Sequence, residues 1–204
     1  FAYSEVRAAL NESLNKQDII DKVLFGFGTP LAGPLAPGAA GYDNTLSTTT
    51  DFAKAISLLE AKGWTKGTDG IYQKTTDKKE TLRLAFTLVT SDASELKAVA
   101  EQAVLVWKKL GADVTIKVFE KGDLSQDIIR PRKYDAVLFG EVVGRNPDPY
   151  VFWHSSQRFD PGLNIAMYAN VAVDKILEDL RAKTDQTERL ALYQKASKRS
   201  EERR

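Results

Sequence analysis

Over the first quarter of the chain the apolar positions keep a helical period and then lose it. Val6, Ala9, Leu10, Ser13 and Leu14 lie on one narrow stripe, which predicts a first helix. Asn15-Lys16-Gln17-Asp18 reads as a fresh N-cap with an acid in the following turn, opening a short helix that carries Ile19, Ile20, Val23 and Leu24. Between residues 26 and 42 the pattern collapses. Gly26, Gly28, Pro30, Gly33, Pro34, Pro37, Gly38 and Gly41 cannot sit in a helix interior. A loop of this length in a compact domain covers something or is functional. Regular structure resumes at Asp51, an N-cap, with Phe52, Ala55, Ile56 and Leu59 on one face and Gly63 as the left-handed stop.

Residues 64–72, with Gly67, Asp69 and Gly70, read as a turn feeding a short strand. Leu82, Leu84, Phe86 and Leu88 alternate with Arg83, Ala85 and Thr87, the period of a strand with one lightly covered face. Ser94 is placed to cap a helix whose stripe is Leu96, Val99, Ala100, Ala103, Val104, Trp107 and Leu110. Gly111 ends it, and Val114, Ile116 and Val118 alternate directly afterwards. Strand, helix and strand with such tight punctuation predict a βαβ crossover and hence a parallel pair. A helical stretch over 124–129 stops at Pro131. The run Tyr134-Asp135-Ala136-Val137-Leu138-Phe139 predicts a central strand covered on both faces. Two helices follow, one on Val173, Ile176, Leu177 and Leu180, the other opening at Thr184 or Asp185 with Glu188 in capping-box position. No repeat is visible, so residues 1–204 read as a single α/β domain.

Composition narrows the chemistry more than the fold. With 29 basic and 28 acidic residues interspersed along 204, there is no clustered positive field for nucleic acid. No apolar run approaches the ~20 residues of a membrane span. Cysteine is absent and His154 is the single histidine, which removes thiolate chemistry and paired-histidine metal sites. No cofactor is expected. The chain begins at Phe1 without an initiator Met or signal segment and ends in the helical run Glu201-Glu202-Arg203-Arg204, so it is read as a piece of something longer.

Several constellations invite a function. Gly26-Phe27-Gly28 has the glycines of a phosphate loop, but lacks the preceding strand and the third glycine of the fingerprint. Glu141 and Asp148 flank a strand end and could form an acid–base pair of the glycosidase type. His154 beside Trp153 reads as a hydrogen-bonded packing residue, and Arg189, Lys195, Lys198 and Arg199 as a solvated helix face. The segment Gly140-Glu141-Val142-Val143-Gly144-Arg145-Asn146-Pro147-Asp148-Pro149 differs in kind. It leaves the carboxyl end of a predicted strand, where ligands bind in α/β sheets, and mixes opposite charges, an amide and stiffening prolines. Gly140, Glu141, Val142, Val143, Gly144, Arg145, Asn146 and Trp153 are therefore the candidate ligand contacts, with Asp148 fixing the loop and Tyr150 able to wall a cleft or fill the core.

The order of short motifs along nearly the whole chain resembles a known family. The stretches are Val6-Arg7-Ala8-Ala9-Leu10, Gly26-Phe27-Gly28-Thr29-Pro30, Gly33-Pro34-Leu35-Ala36-Pro37, Lys62-Gly63-Trp64, Trp107-Lys108-Lys109-Leu110-Gly111, Tyr134-Asp135-Ala136, Asn146-Pro147-Asp148-Pro149, Asn164 with Tyr168, and Arg189 with Tyr193. Together they resemble the family 5 extracytoplasmic solute-binding proteins of peptide and nickel ABC importers. The resemblance implies a two-lobed protein that closes on its solute, with this chain as most of one lobe and the other lobe absent. It also implies permease subunits as partners and a periplasmic or cell-surface lipoprotein location. Peptide-binding members carry a Trp and then an Asp before the Asp-Pro motif, and that Asp pairs with the peptide's amino terminus. Here Gly144 or Arg145 stands there, and an arginine repels an ammonium while favouring a carboxylate. An acidic, sugar-like or opine-like solute stays open beside peptides. The alternatives are a carboxylate-pair hydrolase using Glu141 and Asp148, and a protein-interaction module with an exposed apolar patch away from residues 140–149.

Overall fold

The computed structural model describes residues 3–33, 35–39, 42, 48–142 and 148–201, with side chains through Ser197. Two N-terminal helices, α1 (Ser4–Ser13) and α2 (Lys16–Val23), form where the stripes predict them. Val6, Ala9, Leu10 and Ser13 are buried, and the Asn15 side chain accepts from the Asp18 N–H at 3.2 Å. Helix α3 (Phe52–Glu60) starts on Asp51, whose carboxylate accepts from the Lys54 N–H at 3.0 Å. It buries Ala55 and Leu59 against α1.

Among the described residues the strands form two separate three-stranded sheets. In the antiparallel sheet, β1 (Thr65–Lys66), β2 (Tyr72–Thr75) and β3 (Thr81–Arg83) follow one another. In the parallel sheet, β4 (Ala85–Ser91) lies between β5 (Asp113–Phe119) and β6 (Ala136–Leu138). The single strand expected over 82–88 is thus two strands. Leu84 is the switch: its N–H donates to Tyr72 O on one sheet, and its carbonyl accepts from the Asp113 N–H beside the other, both at 2.8 Å. Alternation shows that side chains face two ways; it carries no signal for a change of hydrogen-bonding partner.

Helix α4 (Ser94–Leu110) supplies the crossover and ends on Gly111, whose φ of +112° is left-handed. Ser94 is its first helical residue, and the N-cap is Ala93, which has no side chain to serve. The even-numbered residues Phe86 and Leu88 of β4, with Val114 and Ile116 of β5 and Ala136 and Leu138 of β6, pack towards α1, α3 and α4 in the main core. The odd-numbered face carries Val89 to a smaller cluster with Leu124 and Ile129. Both belong to the π-helical turn Leu124–Ile129, which continues the short helix α5 (Lys121–Asp123).

A correction follows for β6. It was expected to be central and covered on both faces, but among the described residues β4 is central and β6 is the half-buried edge of the parallel sheet. An apolar run reports burial of side chains and says nothing of strand order.

The chain closes with α6 (Pro149–Trp153), α7 (Val171–Ala182) and α8 (Gln186–Glu201). Val173, Ile176, Leu177 and Leu180 of α7 are all buried, and Asp185 accepts from the Glu188 N–H at 2.9 Å as the cap of α8. Arg189 is not a plain solvated residue. Its Nη1 donates to the Leu180 and Lys183 carbonyls at 3.0 and 3.1 Å, satisfying the open end of α7. The Gly/Pro-rich loop covers this helix pair in its described part, since Leu35 is buried against Leu180 and Tyr193.

One ion pair ties the N-terminal helix to the antiparallel sheet. Glu5 accepts from the Trp64 indole at 3.3 Å and from Lys74 Nζ at 3.4 Å. Burial pushes the Glu5 carboxyl up, but its backbone hydrogen bond, Trp64 and Lys74 outweigh this and hold it below the ordinary value of 4.5. A depressed carboxyl contributes stability that is complete above its unfolded-state value and lost as pH falls through the folded one. Glu5→Gln is therefore expected to cost about 1 kcal/mol in urea unfolding at pH 7, and less at pH 3. Equal losses at both pH values would contradict the assignment.

Candidate functional site

Because β4, β5 and β6 are parallel, their carboxyl ends share one edge. Two cross-strand bonds order it: Thr90 Oγ1 donates to Leu138 O at 3.1 Å and the Asp92 N–H donates to Phe119 O at 2.9 Å. The chain leaves β6 here. Gly140, Glu141 and Val142 are exposed, Val142 almost fully at 99%, so the segment runs outward from the sheet. Desolvation holds the Glu141 carboxyl above its ordinary range. Val143, Gly144, Arg145 and Asn146 lie outside the described residues.

The chain re-enters at Asp148, and here the structure is specific. Oδ1 accepts from the Tyr150 N–H at 3.1 Å, capping α6, with Pro149 in its first turn. Oδ2 accepts from Arg181 through Nε at 2.9 Å and Nη2 at 2.5 Å. The same guanidinium lies 3.7 Å from the Tyr150 ring centroid, and the opposite partner of that ring is His154, stacked at 4.1 Å and 17°. His154 Nδ1 accepts from the Ser156 N–H at 3.1 Å, its Nε2 lies 3.6 Å from Glu178 Oε1, and the Ser155 N–H donates to Asp174 at 2.9 Å. Asp174, Glu178 and Arg181 recur at i, i+4 and i+7, so one polar face of α7 holds the whole re-entry. That spacing was visible in the sequence. Its partner was not, since 33 residues separate Arg181 from Asp148.

Asp148 thus serves as the predicted loop anchor, with both carboxylate oxygens engaged, and His154 is the predicted hydrogen-bonded packing residue, 8% exposed. Trp153 is half-buried and meets Tyr168 edge-on at 5.8 Å and 80°, packed on the cluster of Tyr168, Val173 and Leu177, where Tyr150 also packs. Two positioning groups had no role assigned from the sequence: Asn164, present there only with Tyr168 as part of the family pattern, and Arg132. Asn164, fully buried, donates to the carbonyls of His154 and Tyr168 at 3.1 and 2.9 Å and accepts from the Tyr168 N–H at 3.0 Å. Arg132 donates to the carbonyls of Ile129, Arg158 and Gly162 at 2.5, 2.9 and 2.6 Å, binding the end of the π-helical turn to the loop after α6. Among the described residues no group of acidic or histidine side chains could hold a metal ion, and no helix is long and apolar enough to cross a membrane.

A crossover α/β unit with a polar connection projecting from the carboxyl edge of its parallel strands has the architecture of periplasmic-binding-protein-like folds. The chain belongs to the bacterial extracellular solute-binding proteins, family 5, whose middle region matches residues 1–160. It is 31% identical over 201 residues to Protein XP55 of Streptomyces lividans, covering 95% of this chain and 34% of that one. It is 31% identical over 194 residues to the oligopeptide-binding protein AppA of Bacillus subtilis, covering 91% and 34%, and 30% identical to the nickel-binding periplasmic protein of Escherichia coli, covering 92% and 36%. The structure of the same AppA in complex with a nonapeptide superposes with a TM-score of 0.88 at 27% identity, over 100% of this chain and 40% of that one. The chain therefore spans about a third of the length of the curated relatives it matches.

Proposed function

We propose that residues 1–204 form one lobe of the extracytoplasmic substrate-binding component of an ABC importer, and that the solute is held between this lobe and another by hinge closure. The observation that carries the reading is the edge itself. Residues 140–142 project outward from the parallel strands, while Asp148, Arg181 and the α7 face fix the point of return. A strand-end exit with a fixed point of return suits orientation of a small ligand with little ordering cost. The contacts are assigned to Gly140, Glu141, Val142, Val143, Gly144, Arg145 and Asn146, with Trp153 supporting the wall. Family membership and relatives named for oligopeptide and nickel binding support the class. The permease is the expected partner and the periplasm or outer cell surface the expected location.

Within this reading Arg145 selects for a solute with an acidic group over the free amine of a peptide. The rival hydrolase needs both Glu141 and Asp148 free for proton transfer, and Asp148 is taken up by the α6 cap and Arg181. Native mass spectrometry of the two-lobed protein identifies the co-purifying solute, and calorimetry then compares variants. Arg145→Ala is expected to weaken binding of an anionic solute by ~2 kcal/mol, the scale of one charge-assisted hydrogen bond. Unchanged affinity removes Arg145 from the site, and a Glu141→Gln variant that abolishes turnover of a co-purified substrate would favour the hydrolase.

A further inference from the structure

The odd-numbered face of the parallel sheet is not fully roofed by the π-helical turn. Beside it opens a cleft of about 280 Å³ lined by Thr87 and Val89 of β4, Lys117 and Phe119 of β5, and Ile128, Lys133, Tyr134 and Asp135. We propose that this cleft is a second binding site, for a small organic carboxylate with an apolar body.

The walls divide by chemistry. Val89, 3% exposed, forms the floor, and Phe119, Ile128 and Tyr134 are half-buried beside it. The Tyr134 hydroxyl is turned to the Ile165 carbonyl at 2.5 Å, which leaves its ring as apolar surface. Asp135, the one acid of the lining, accepts from the Thr87 N–H at 3.0 Å. Lys117 and Lys133 line the same opening, and neither has an acidic partner among the described residues. An apolar floor under two ammonium groups complements an anion that carries a hydrophobic body.

Carboxylate is favoured over phosphate by the donors present. Lysines act as point charges, and the described residues of the lining include no arginine to offer the bidentate fork that favours phosphate. The volume lies just under the roughly 300–1,000 Å³ of ordinary small-molecule sites, which suits an arylalkyl acid. The cleft runs along the odd-numbered sheet face, from Thr87 and Asp135 near the starts of their strands to Phe119 at the carboxyl end of β5. The inference stands independently of the proposed transport function.

The test is a ¹H–¹⁵N titration of this chain with 4-phenylbutyrate, its neutral amide and phenyl phosphate. The carboxylate is expected to give saturable shifts at the amides of Thr87, Val89, Phe119 and Ile128, with the amide binding at least about tenfold more weakly. Lys117→Gln combined with Lys133→Gln is expected to weaken the carboxylate by about tenfold or more, while the paired Lys→Arg changes, which keep both charges, retain most of it. Both lysines are exposed, and the spectrum itself reports folding of each variant. The proposal is overturned by absent or non-saturating shifts, by equal binding of the neutral amide, by tighter binding of phenyl phosphate, or by undiminished binding in the double Gln variant.

Discussion

Asn164→Asp is expected to destabilise the fold by about 4 kcal/mol at pH 7, and by clearly less at pH 4. The native amide is fully buried and turns two donors to the His154 and Tyr168 carbonyls and its oxygen to the Tyr168 N–H. A carboxylate there keeps the last bond and aims negative charge at two carbonyl oxygens without water, a cost of several kcal/mol for a buried group left unmatched. The sign of the pH dependence follows. Burial and the two carbonyls raise the folded-state pKa of an acid at this site above the unfolded value of about 3.9. The penalty is therefore small below that value and grows as pH rises towards the raised one. For a chain of this size 1 kcal/mol moves the melting temperature by roughly 2–4 °C, so calorimetry should record a drop of about 8–16 °C at pH 7. Asn164→Leu, which orphans the same backbone groups without adding charge, should cost about 3 kcal/mol independently of pH. Equal melting-temperature losses for the Asp variant at pH 4 and pH 7 would show that the amide does not face those carbonyls.

The second large effect belongs to Gly162. A Cβ built there lies 2.3 Å from the Gln157 carbonyl oxygen and 2.6 Å from that residue's carbonyl carbon and Cα. All three are backbone atoms, so no side chain can rotate away, and Gly162 is itself held by its N–H to Phe159 O at 2.7 Å and its carbonyl to Arg132 at 2.6 Å. Gly162→Ala should cost about 3 kcal/mol, the upper end of overpacking penalties. Gly122→Ala is the control. Its added methyl meets nothing within 4 Å, in the short helix α5, and it should be neutral or stabilising by up to about 1 kcal/mol. Comparable destabilisation by both substitutions would refute the close-approach argument. Both large effects act on the loop that follows α6, the helix that Asp148 caps.

Elements whose signals are local were readable from the chain alone. Asn15, Asp51 and Asp185 cap the helices they precede, Gly111 stops α4 in the left-handed region, and the α7 stripe is the buried set. Each depends on residues within a turn of one another, where backbone stereochemistry and periodicity act. The parallel pairing of β4 and β5 was legible for the same reason, since a helix of 17 residues between two short strands leaves one chirality of return.

Where the reading failed, the deciding partner was distant in sequence. The rank of β6 at the sheet edge, the handover at Leu84 and the grip of Arg181 on Asp148 join segments that no period connects. The same holds for the candidate site. Its residue types and its position after a strand came from the primary structure, and the anchor that makes Asp148 a fixed point came from a helix 33 residues later. Short-range stereochemistry and apolar spacing settled which elements exist and where they start and stop. Which polar atoms meet, and so which carboxylate is free to act, was settled by packing, because a buried hydrogen bond is specified by two surfaces brought together and neither surface encodes it alone.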